Sequence, residues 1–112
     1  MQLPTWAHRS MFSYTGSVLT GTVIEYGEGA ASTDATAFLI RVSADQYRAL
    51  LTTFKGAQVP VGSSRNPLPD TLEYWLQQNV TPTASASYVA PILIHEKYAA
   101  RVAGSETEIQ FL

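Results

Sequence analysis

DTLEYWLQQNVTPTASASYVAPILIHEKYAARVAGSETEIQFL, residues 70–112, is the stretch whose reading decides the fold. Asp70-Thr71-Leu72-Glu73 has the spacing of a capping box, and Leu72, Trp75 and Leu76 behind it supply the apolar face of a helix over 70–79. Thr81-Pro82-Thr83 stops that helix, and residues 84–95 regain helical character. Tyr98-Ala99-Ala100-Arg101-Val102 and Glu108-Ile109-Gln110-Phe111-Leu112 then read as two strands joined through a Gly104-Ser105 turn. Pro91 opens a second option, because a proline inside a helix costs about 3 kcal/mol and removes a hydrogen bond. Either the helix over 84–95 kinks at Pro91, or it begins there and runs to 102. In the second case the hairpin shrinks to one strand within 106–112.

Upstream, Gln58-Val59-Pro60-Val61 reads as a short strand whose proline places it at a sheet edge or strand end. Residues 62–69, GSSRNPLP, form a loop. Before it, Ser43-Ala44-Asp45-Gln46 is a second capping box. Tyr47, Leu50, Leu51 and Phe54 follow at i, i+3, i+4 and i+7, the stripe of a helix over 44–55, and Gly56 stands where a left-handed C-terminal cap belongs. Residues 18–26, rich in Val, Ile, Thr and Tyr, predict a strand in which Gly21 marks a bulge or a close backbone approach. After a small-residue loop over 27–34, residues 35–42 predict an antiparallel partner. Phe38-Leu39-Ile40 reads as buried on both faces, which places that strand centrally.

The expected fold class is therefore α+β. A small antiparallel sheet (strands near 18–26, 35–42, 58–61 and 106–112) is packed by two or three helices (44–55, 70–79, and 84–95 or 91–102) in a single domain over 1–112. Residues 1–16 show no period and are read as an N-terminal arm. Its Trp6, Met11, Phe12 and Tyr14 are too many large apolar groups for a disordered tail. Such an arm packs on its own domain or embraces a second subunit, so these four residues are the candidate partner contacts.

Charged residues make up 14% of the chain, against about 25% in an ordinary domain. With 46% hydrophobic residues, that balance points to apolar surface held against another subunit, and a homodimer is expected. A net charge of −2 gives no global pull toward phosphate backbones or anionic lipid. Cysteine is absent, which excludes disulfides, thiol catalysis and thiolate metal sites. The opening nine residues carry no basic leader before an apolar run, and the longest uncharged stretch, 78–94, contains Pro82 and Pro91. Neither a signal peptide nor a membrane span is expected, and the cytoplasm is the expected location.

Gly62-Ser63-Ser64-Arg65 is the candidate anion-binding loop: glycine frees backbone amides, hydroxyls donate, and arginine grips an oxyanion with two donors. It lacks the Gly-Lys-Ser/Thr ending of a phosphate loop, and a plain polar loop has the same composition. His95-Glu96-Lys97 sets a histidine beside other ionisable groups, yet sequence neighbours diverge by about 100° on a helix. The other histidine, His8, lies in the arm, and neither H-x-x-x-H nor H-E-x-x-H occurs. No metal site or cofactor is expected. No G-x-S-x-G elbow is present, and Glu25 and Glu28 at a strand end point more readily to solvent than to each other. No catalytic residue is assigned, and binding is favoured over enzyme activity.

The order helix, short turn, helix, hairpin in 70–112 resembles the outline of a winged helix-turn-helix, a layout that implies DNA reading. The charge opposes it. Residues 84–94 hold no lysine or arginine, and over 70–112 only Lys97 and Arg101 face Asp70, Glu73, Glu96, Glu106 and Glu108. Nucleic acid is therefore not the expected partner. The preferred reading is a self-associating, non-enzymatic binding or adaptor protein. A winged-helix regulator is the alternative, and a small-molecule binder or small enzyme with a pocket between sheet and helices is the third.

Overall fold

In a computed structural model, residues 1–26 and 38–112 are described. The chain orders as β1 (Gln2–Pro4), β2 (Met11–Ser17), β3 (Gly21–Tyr26), β4 (Phe38–Ser43), α1 (Ala44–Phe54), β5 (Gln58–Pro60), α2 (Leu72–Asn79), α3 (Ala86–His95), β6 (Ala99–Arg101) and β7 (Glu108–Phe111). The fold is α+β, but the strands form two sheets instead of one. A four-stranded antiparallel sheet runs β1-β2-β3-β4, and a three-stranded sheet runs β5-β7-β6.

Residues 1–16 hold β1 and most of β2, packed on their own domain. β1 pairs with β2 and β2 with β3, with Tyr14 opposite Ile24 and Gly16 opposite Thr22. Phe12 and Tyr14 alternate with Ser13 and Thr15, a period of two that puts the rings in the core and the hydroxyls outward. The strand expected over 18–26 starts at Gly21, because Val18, Leu19 and Thr20 make the hairpin turn. Gly16 and Gly21 both have positive φ, and a Cβ on Gly16 would lie 2.1 Å from the Gly21 carbonyl oxygen. The close approach expected at Gly21 is thus real, and it involves both glycines.

β4 pairs antiparallel with β3, as expected, but among the described strands it stands at the edge of the sheet and not at its centre. Ile40 and Val42 are buried, whereas Phe38 is 60% exposed and Leu39 53% exposed. Apolarity on both faces of this strand does not mean burial on both, since α1 covers only one of them. The expected loop at 27–34 and the start of the strand at 35–37 lie outside the described residues.

α1 begins as its sequence dictates: the Ser43 hydroxyl accepts from the Gln46 amide, and the Gln46 side chain accepts from the Ser43 amide at 2.8 Å. Tyr47 and Leu50 are buried where α1 packs on β3 and β4, Phe54 is buried against Trp75 and Phe111, and Leu51 is half-buried. Gly56 follows with φ +73, the left-handed turn that ends the helix.

α2 differs from its expected capping box. Thr71, not Asp70, is the cap, its hydroxyl accepting from the Tyr74 amide at 3.1 Å. Glu73 turns away from its own helix and is fully buried. Its carboxylate accepts from the Ser85 and Ala86 amides, each at 3.0 Å, and so caps α3. Unbonded amides and a positive dipole end make that helix N-terminus a natural seat for a carboxylate. Burial raises the Glu73 carboxyl above its ordinary value, against the opposing pull of the Ala86 and Ser85 amides and the Gln77 side chain.

α3 runs over Ala86–His95 with Pro91 inside it, so the helix does not start at Pro91 and the hairpin survives. β6 and β7 pair antiparallel, with Arg101 opposite Ile109, and β5 joins the other side of β7, with Val59 opposite Ile109. Pro91 lacks the amide that would bond the Ser87 carbonyl four residues earlier. Trp6 replaces it, its backbone amide donating to the Ser87 oxygen at 2.9 Å. α3 packs on β6, on β1 and on α2, and so joins the two sheets. Its Val89, Ala90, Ile92 and Leu93 are fully buried in the core they share with Ile24, Leu50, Leu76 and Ile109. No described helix is long and apolar enough to cross a membrane.

Candidate functional site

Trp6 stands where the two sheets and α3 meet. It sits in the turn between β1 and β2, held by the Thr5 amide donating to Ser10 O and the His8 amide donating to Thr5 O, both at 2.9 Å. Besides its bond to Ser87, the indole Nε1 donates to the Glu106 carbonyl at 2.9 Å. Arg101 Nη2 donates to the Trp6 carbonyl at 2.8 Å, and the guanidinium carbon lies 3.9 Å from the ring centroid. A cation over an indole face adds attraction to those bonds. The result is a tryptophan whose position is fixed from four directions.

Beside it opens a cleft of about 630 Å³. Trp6, Pro60, Val61, Pro67, Leu68 and Pro69 give it an apolar lining, and Ser63, Ser64, Asn66, Thr71 and Thr107 supply neutral polar groups. Its formal charges, Asp70 and Glu106, are both negative. The wall from 61 to 71 is pinned at four points. Val61 N donates to Thr107 O at 2.8 Å, Glu73 N to Val61 O at 3.0 Å, Gln77 Nε2 to Ser64 O at 2.9 Å, and Thr71 Oγ1 to Leu68 O at 2.8 Å. Leu68, 75% exposed, stands on the rim. A preformed, mostly apolar concavity with a few placed polar groups is what a small-ligand site looks like.

The expected anion-binding loop is part of this wall. Gly62, Ser63 and Ser64 line the cleft, but Arg65 does not. Gly62 has φ +65, and a Cβ there would lie 2.6 Å from Thr71 Cβ, so its glycine serves close packing on the α2 cap. Without the arginine and with two carboxylates nearby, the lining is unsuited to an anion.

Of the four candidate partner contacts, Trp6, Phe12 and Tyr14 are buried in their own chain, and Met11 is 51% exposed. The Tyr14 hydroxyl donates to Glu96 Oε2 at 2.8 Å, and the Val18 amide donates to Glu96 Oε1 at 2.9 Å. Burial, then the bond to Glu96, raises the Tyr14 hydroxyl above its ordinary value. Glu96, read from sequence as a neighbour of His95, instead ties the end of α3 to β2. Glu28, the expected neighbour of Glu25, lies outside the described residues. The helix-turn-helix order is present as α2 and α3, but the helix that would lie in a DNA groove is the core of the molecule. In α3 only His95 is exposed, and Ser85 at its start is fully buried. Sequence reasoning missed the cleft because its walls come from 6–7, 60–71 and 106–107, three segments joined only by the fold. Compared with protein-family models, with curated proteins and with solved structures, the chain matches none.

Proposed function

We propose that this protein is a binding module whose ligand, a small and largely apolar molecule that is neutral or cationic, sits in the cleft beside Trp6. The carrying observation is the cleft itself: about 630 Å³, within the roughly 300–1,000 Å³ usual for small-molecule sites. Its apolar lining would gain from burying apolar ligand surface, and Asp70 and Glu106 disfavour an anion. A thermal-shift panel of size-matched neutral, cationic and anionic apolar compounds tests this, because a bound ligand raises apparent stability by mass action. Neutral or cationic members should raise Tm, and Leu68→Asp, on an exposed rim, should remove most of the shift. A panel with no shift, or a shift indifferent to Leu68→Asp, counts against the reading.

Self-association is a second reading, supported by the exposed Phe38 and Leu39 on edge strand β4 and by the low charge of the chain. An edge strand with unpaired backbone groups is a template for pairing with another copy. Light scattering across a concentration series checks it: a dimer whose mass falls to monomer in Leu39→Lys supports it, and a monomer at all concentrations excludes it.

A further inference from the structure

The chain's two histidines, distant in sequence, meet at a second and smaller cavity of about 220 Å³. His8 reaches it from the β1–β2 turn, His95 from the last residue of α3 and Arg101 from β6, with Leu3, Pro4 and Ile94 completing an apolar surround. Among the described residues no carboxylate lines it.

Arg101 is held in place. Its Nη2 bonds the Trp6 carbonyl at 2.8 Å and approaches His8 Nε2 at 3.3 Å, while the Trp6 ring covers one guanidinium face. Both bonds use Nη2, which leaves Nη1 and Nε as donors for something else. His8 adopts φ +59, uncommon for a residue with a side chain, and its amide is fixed to Thr5 O at 2.9 Å. The nearest acid in sequence, Glu96, has its two oxygens bonded to Tyr14 Oη and Val18 N. An arginine sharing a cavity with two imidazoles repels a metal ion and attracts an anion. Among the described residues no three His, Asp or Glu side chains converge to hold a metal.

We propose that His8, His95 and Arg101 form a binding site for a small oxyanion, either a carboxylate or a tetrahedral anion. A guanidinium fixed by other bonds offers oriented, charge-assisted donors at little ordering cost. The two imidazoles add ring N–H donors beside it. The groups that face the cavity from each element are His8, His95 and Arg101, and β1 contributes only Leu3 and Pro4. The site shares no lining residue with the Trp6 cleft, whose charged groups are both acidic.

The test is an NMR titration of both imidazoles and the Arg101 side-chain NH with sodium sulfate, then with sodium acetate, at fixed ionic strength and pH 6. At least one anion should give saturable shifts at these three side chains. His8→Asn, which tolerates the left-handed backbone, and His95→Gln, on an exposed helix end, should each weaken binding about tenfold, the worth of one charge-assisted hydrogen bond. Saturation by sulfate alone, by acetate alone or by both supports the site and tells its geometry. Shifts that never saturate, that centre on Arg9 or Arg65, or that survive both substitutions unchanged overturn it.

Discussion

Gly62 and Gly56 both have positive φ, +65 and +73, yet they sit in opposite surroundings. A Cβ at Gly56 meets nothing within 4 Å, whereas one at Gly62 runs into the Thr71 side chain. Gly56→Ala should therefore cost about 1–2 kcal/mol, the backbone penalty alone. Gly62→Ala should cost clearly more, because the cleft wall must move. Urea denaturation of the two variants checks the difference, and equal losses would deny the close packing of 62 on the α2 cap. Glu73 gives a pH signature. Its folded carboxyl is raised above the ordinary value of 4.5, so the native state binds the proton more readily than the unfolded chain. The associated stability is fully present below the unfolded pKa and is lost as pH rises through the higher folded pKa. Relative to Glu73→Gln, the wild-type protein should thus gain stability as pH is lowered from 7 toward 4.5, measured by denaturation at each pH. A constant difference would contradict the shift. Sequence spacing showed a carboxylate at the start of α2, but not that it faces the next helix, because a capping box and a tertiary cap look the same in one dimension.

Helices were more legible than strands. α1 carried its own cap, stripe and terminating glycine, all local signals. Leu50→Ala should cost about 2–5 kcal/mol, since Leu50 is fully buried; a loss under about 1 kcal/mol would mean that α1 does not seal the sheet. β2 was legible in principle, because Phe12 and Tyr14 alternate with hydroxyl residues, but the aperiodic Trp6-Ala7-His8-Arg9-Ser10 turn beside it hid the pattern. The survival of α3 through Pro91 was not legible, for its compensation comes from Trp6, remote in sequence. That exchange has a consequence. An exposed proline-to-alanine change in a helix would return about 3 kcal/mol. Pro91→Ala should return less than about 1 kcal/mol, since the new amide must share the Ser87 carbonyl with Trp6. A gain near the full value would show that the Trp6 bond does not substitute for the missing one.

For the whole molecule, the sequence carried the fold class but not the division into two sheets. β5 finds β7 across fifty residues of chain, with Gln58 opposite Gln110, and no local pattern encodes that pairing. The Trp6 cleft depends on the same long-range contacts, which is why its Gly62-Ser63-Ser64 wall was legible only as part of an isolated loop. The shape of the assembled surface, not any motif, carries the functional reading. The most direct test of it is backbone-amide NMR on the whole protein, titrated with the neutral or cationic apolar compound that raises Tm most. Shifts should saturate and concentrate at 61–71, 106–107 and the Trp6 indole NH, and leave the exposed face of α1 unmoved. Saturable shifts centred on another surface, or none at all, would contradict the claim that the cleft beside Trp6 is where this protein binds.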